Sequence, residues 1–93
     1  MHMGMNSQKT LPTEPHERAV WVLGQLRLRG ESYASISRKA GKSRFAARQA
    51  MYQPSAELER ALADALEMPV HQLFPERFDG KGRRIHQERG AAA

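Results

Sequence analysis

The side chains with chemistry to offer are concentrated between Ser32 and Tyr52, in the run SYASISRKAGKSRFAARQAMY. Arg44 and Arg48 are spaced one helical turn apart with Gln49 beside Arg48, so on a helix all three reach outward together. A guanidinium can bond guanine O6 and N7 together, and a glutamine amide can pair in the same two-pronged way with adenine N6 and N7. Phe45, at the start of the same helix, is an odd residue to leave in water and a useful one against a thymine methyl. Ser32 and Ser43 stand where two helices should begin, and free N–H groups at helix amino termini suit phosphate. Lys39 and Lys42 flank the turn between the helices and suit phosphate too. With Tyr52 on the outer face, the expected DNA-contacting set is Ser32, Lys39, Lys42, Ser43, Arg44, Phe45, Arg48, Gln49 and Tyr52. Double-stranded DNA is the expected partner.

Other chemistries find little to build on. The chain has no cysteine, so no disulfide framework and no thiolate metal site. His2, His16, His71 and His86 share no metal-ligand spacing, and no carboxylate or nucleophile forms a recognisable set with them. Gly80, Lys81 and Gly82 are framed by no strand or helix, as a phosphate-binding loop would require. No enzyme, cofactor, metal or small-molecule ligand is expected. Neither a signal-peptide run nor a bilayer-spanning segment is present in the sequence, so no membrane role and a cytoplasmic location are expected.

Charge placement supports a polyanionic partner. Of the formal net charge of +5, residues 27–48 carry +6, from Arg27, Arg29, Arg38, Lys39, Lys42, Arg44 and Arg48 against Glu31 alone. Residues 1–26 sum to zero, residues 49–79 to −4 and residues 80–93 to +3. One basic face on an otherwise acidic domain suits a nucleic acid. Two alternatives remain: an ordinary solvated helical surface, and an adaptor whose basic helix meets an acidic protein.

Elements that could position this face follow from apolar spacing. Thr13, Glu14 and Pro15 open a first helix running to Arg29, with Ala19, Val22, Leu23 and Leu26 on one side. Trp21 lies off that stripe and could pad a neighbouring helix or sit at a subunit contact, the first being expected. Gly30 ends the helix. Ser32 caps a second helix, Tyr33 to Ala40, whose inner face is Tyr33, Ile36, Ser37 and Ala40. Gly41 makes the turn through a left-handed backbone. Ser43 is expected to cap a third helix reaching Tyr52, with Ala47, Ala50 and Met51 inward. Ser37, Ala40, Gly41, Ala47 and Ala50 are small enough for two helices to cross closely; alanine would be the safer residue at 37, where the hydroxyl can bond back to the Tyr33 carbonyl. Ser55 caps a fourth helix with Leu58, Leu62, Ala65 and Leu66 buried and with Glu57 and Glu59 favoured near its positive end. Val70, Leu73 and Phe74 point inward from a last short helix between Pro69 and Pro75. No strand alternation appears. The fold class is all-α, with four or five short helices forming a helix-turn-helix domain over residues 14–78. Residues 1–13 read as a flexible leader, and residues 79–93 as a basic disordered tail whose Lys81, Arg83, Arg84 and Arg89 could follow a DNA backbone, enter a minor groove or serve only solubility.

The segments SYASISRKAG, RQAM and ALADALEMPVHQLFPERF together resemble the Ner-like regulators of Mu-type transposable phages and their bacterial relatives. That family closes with a W/F-P-x-R-Y/F element, and Phe74, Pro75, Arg77 and Phe78 fit it. The resemblance covers Val22 to Phe78. It implies a fold similar to lambda-type repressor domains, and a transcriptional regulator, as a repressor, bound to operator DNA. The family's base-reading positions fall here on Ser43, Arg44, Phe45, Arg48 and Gln49, where this chain is more basic and carries Phe45. One such motif presents few base contacts, so a homodimer, formed in solution or on DNA, is expected on half-sites about one DNA turn apart.

Overall fold

A computed structural model describes residues 11–85. Five α-helices follow one another: α1 (Pro15–Leu28), α2 (Tyr33–Lys39), α3 (Ala46–Ala50), α4 (Ala56–Ala65) and α5 (Val70–Leu73), then a 3₁₀ turn at Pro75–Arg77. Among the described residues no strand forms, and one antiparallel bridge joins Phe78 to Arg84.

The apolar stripes converge on one core. Ala19, Val22 and Leu26 of α1, Tyr33 and Ile36 of α2, Ala47 and Ala50 of α3, and Leu58, Leu62 and Ala63 of α4 are buried together with Met51, Leu66, Leu73 and Phe74. Trp21 packs against this cluster, as do Leu23, Ala40, Ala65 and Val70. Burial also pushes the Tyr33 phenol to ionise well above its ordinary value. Its hydroxyl donates to the Ala19 carbonyl at 2.6 Å, tying α2 to α1.

Helix ends decide the turns between these elements. Glu14, rather than Thr13, caps α1: its carboxylate accepts from the Glu17 amide at 2.7 Å, and Pro15 sits in the first turn. A carboxylate reaches that amide and gains from the helix dipole as well. Ser32 caps α2 as expected, in a reciprocal capping box with Ser35. At the ends of α1, α2 and α4 the backbone turns left-handed at Gly30 (φ 76°), Gly41 (φ 74°) and Glu67 (φ 58°). Each turn closes with the next amide bonding back into the helix, Glu31 to Leu26, Lys42 to Ser37 and Met68 to Ala63. A Cβ at Gly41 would meet no atom within 4 Å. Gly41 is therefore needed for its backbone angle and takes no part in the close helix crossing.

The third helix departs most from the sequence reading. It spans only Ala46–Ala50, and no side chain caps it; Ser43 offers its backbone carbonyl to the Ala46 amide at 3.0 Å. The cap comes from α2 instead. The fully buried Ser37 hydroxyl accepts from the Ala47 amide at 2.8 Å while donating to the Tyr33 carbonyl at 2.8 Å. The expected bond to Tyr33 is present, but alanine at 37 would not be safer, because it would orphan the Ala47 amide. Ser37→Ala is expected to cost about 1–2 kcal/mol in urea unfolding, the lost buried bond outweighing the better helix propensity of alanine.

The two ends are partly drawn into the domain. Leu11 packs against the core, so the leader that was expected to stand apart is in contact from residue 11. Residues 79–85 are not a disordered tail: Asp79 and Ile85 donate backbone bonds to Arg83 and Arg77, both at 2.8 Å, closing a short hairpin with Gly82 in the turn. Residues 1–10 and 86–93 of the expected leader and tail, Arg89 included, lie outside the described residues.

Candidate nucleic-acid interface

Packing uses up one side of α3 and leaves the other bare. Ala47, Ala50 and Met51 are buried, whereas Ser43, Arg44, Phe45, Arg48, Gln49 and Tyr52 are exposed. Phe45, Arg48, Gln49 and Tyr52 line one concavity of about 260 Å³. Arg44 joins them from the side, its guanidinium carbon 5.3 Å from the centre of the Phe45 ring. Phe45 and Tyr52 are 58% and 44% exposed, an unusual investment of aromatic surface for a domain this small. The Tyr52 hydroxyl meets Nδ1 of His16, on α1, at 3.3 Å.

The outlying members of the expected set stand differently. Lys39 pairs with Glu31 and Lys42 with Glu57, the latter at 3.2 Å, and both lysine side chains remain exposed. Such exposed pairs are worth little and are readily exchanged for phosphate. Ser32 is half-buried at the start of α2, and its own amide donates to Ser35 Oγ at 2.8 Å. In contrast, Arg38, Arg44 and Arg48 form no ion pair among the described residues. The unpaired positive charge at the concavity itself is that of Arg44 and Arg48.

Four charged residues form a buried or half-buried network beneath the domain surface, and one of them, Arg77, holds the end of α3 in place. Arg77 is buried and donates to the Ala50 carbonyl at 2.8 Å, the Met51 carbonyl at 3.3 Å and the Glu59 carboxylate at 2.7 Å. It therefore satisfies the carbonyl end of α3, work done at the ends of α1, α2 and α4 by left-handed turns. Glu59 is fully buried and also accepts from the Ser55 amide at 2.7 Å and from both Nη atoms of Arg84. Ser55 occupies the cap position of α4, but its side chain makes no capping bond; Glu59 reaches back to that end instead. Burial alone would raise the Glu59 pKa, yet the bonds from Arg84, the Ser55 amide and Arg77 outweigh it and hold the carboxyl below its ordinary value. Arg18, almost fully buried, makes a two-pronged pair with Glu76 at 2.9 and 2.6 Å. Phe74 lies beneath both arginines, 4.7 Å from Arg18 and 4.3 Å from Arg77. The helical spacing held a clue to two of them. Glu59 precedes Leu62 and Leu66 by three and seven residues, and Arg18 precedes Val22 by four, so both fall on apolar stripes.

Among the described residues no cluster of histidine, aspartate and glutamate side chains could hold a metal ion, and no helix is long and apolar enough to cross a membrane. A family model described as "Winged helix-turn-helix DNA-binding" matches residues 19–90. No curated protein and no solved structure matches the chain.

Proposed function

Since the chain belongs to the winged helix-turn-helix DNA-binding family, we propose that it is a sequence-specific transcriptional regulator that reads the major groove with the outer face of α3. The observation that carries this reading is the bare face itself. Phe45, Arg48, Gln49 and Tyr52 share one concavity, with Arg44 beside it. Arg44 and Arg48 supply two-pronged donors for guanine, and Gln49 a partner for adenine. In this reading the exposed Lys39, Lys42 and Ser43 and the hydroxyl of Ser32 take phosphate contacts, setting register without carrying sequence. A Ner-like operator-binding repressor, paired on two half-sites, is the form of regulator that the Phe74, Pro75, Arg77 and Phe78 element favours.

The hairpin after α5 supplies a second contact to the DNA backbone. Arg84 is turned inward to Glu59, so the cations this hairpin exposes are Lys81 and Arg83, the latter in a loose, solvent-exposed pair with Asp79 at 3.5 Å. Replacing both by alanine is expected to weaken binding to all sequences alike and to flatten the slope of log K against log salt by about 2. An unchanged slope would confine the interface to the helix-turn-helix.

Selection of bound duplexes from a random pool, followed by salt titration on the selected site, tests the reading. A recurring site bound far more tightly than random duplex, with affinity falling steeply as salt rises, is the expected result. Absence of duplex binding even at low salt would favour a protein-binding adaptor.

A further inference from the structure

The concavity beside α3 combines apolar and polar lining. Phe45 and Tyr52 contribute aromatic surface, and Arg48 and Gln49 contribute donors. Arg44 partly covers the Phe45 ring and steadies it in its exposed position. An aromatic ring held in solvent next to two base-reading side chains needs an apolar partner to remove it from water. The major groove offers one apolar group, the 5-methyl of a pyrimidine; the remaining edge atoms are hydrogen-bond donors and acceptors. The concavity has a volume of about 260 Å³ and is open to solvent. It therefore admits the methyl-bearing edge of a base.

We infer that the concavity of Phe45, Arg48, Gln49 and Tyr52 is a receptor for a pyrimidine 5-methyl group adjacent to a purine held by Arg48 or Gln49. The group is supplied by thymine or by 5-methylcytosine, which present the same methyl at the same place in the groove. The inference rests on α3 reading the major groove and adds the chemical group that the aromatic surface beside it recognises.

The test uses the full chain and a duplex site selected from a random pool. Each thymine is replaced in turn by deoxyuridine, which lacks only the methyl, and each cytosine in turn by 5-methylcytosine. At one position or more, loss of the thymine methyl should weaken binding about fourfold, or gain of the cytosine methyl should strengthen it by the same factor. The first outcome identifies thymine as the source and the second 5-methylcytosine. Phe45→Ala should abolish the response and Phe45→Leu should keep part of it; both variants should fold, because Phe45 is 58% exposed. A selected site indifferent to every methyl change, or a response that survives Phe45→Ala, overturns the inference and leaves the reading by α3 standing. Failure to select any site overturns both.

Discussion

Arg77→Ala is expected to destabilise the domain by about 3–5 kcal/mol, the usual consequence of removing one partner from a buried ion pair. Glu59 would keep Arg84 and the Ser55 amide but would lose its most deeply buried partner. Ala50 and Met51 would lose the donor that ends α3. Arg77→Lys should recover little, because a single ammonium cannot span two carbonyls and a carboxylate. Arg84→Ala should cost only about 1 kcal/mol, since that side chain is partly in solvent and its charge is screened. Urea denaturation of the three variants separates these cases. Equal costs for Arg77→Ala and Arg84→Ala would show that the carboxylate, and not the end of α3, is what Arg77 serves.

The same cluster sets the response to acid. Bonds from its partners hold Glu59 below its ordinary value of 4.5 despite burial, and the bond from Arg18 lowers Glu76. A depressed carboxyl contributes its full stability above the unfolded value and loses it as pH falls through the folded one. Unfolding free energy should therefore be level near neutrality and decline below about pH 4.5. In Arg77→Ala the decline should be shallower, because part of the linkage is already gone.

What could be read in the sequence was whatever depends on local spacing. The stripe of Ala19, Val22 and Leu26, the cap at Ser32 and the left-handed turn at Gly41 each follow from residues within two turns of one another. What escaped depends on contacts between distant residues. Ser43 looked like the cap of α3 because it stands in the right place along the chain. The hydroxyl that serves is Ser37, ten residues before the amide that it accepts. Arg77 reaches back across 27 residues to end α3, and Arg84 across 25 to meet Glu59. Nothing in a polar stretch such as 79–85 announces that a buried carboxylate elsewhere is waiting for it. The reading face itself was legible by subtraction, since Arg44 and Phe45 just before α3, and Arg48 and Gln49 on it, are what remains after Ala47 and Ala50 turn inward.

Subtraction also singles out Arg48 as the residue whose loss should hurt recognition most. It lines the concavity between Phe45 and Tyr52, is exposed, and has no ion-pair partner among the described residues. Its guanidinium is therefore free to meet a guanine without first breaking a bond within the protein. Arg48→Ala is expected to cost about 1–3 kcal/mol on the selected site, a loss of about 5- to 150-fold. On random duplex the loss should be much smaller, since only a nonspecific attraction disappears. The unfolding midpoint should hardly change, because the side chain is exposed and alanine is a good helix former. Comparing the variant on the two DNAs by fluorescence anisotropy, at one fixed salt concentration, decides what Arg48 touches. A loss confined to the selected site assigns it to a base. Equal losses on both would make it a phosphate contact, and the discrimination would then rest on Arg44, Phe45 and Gln49.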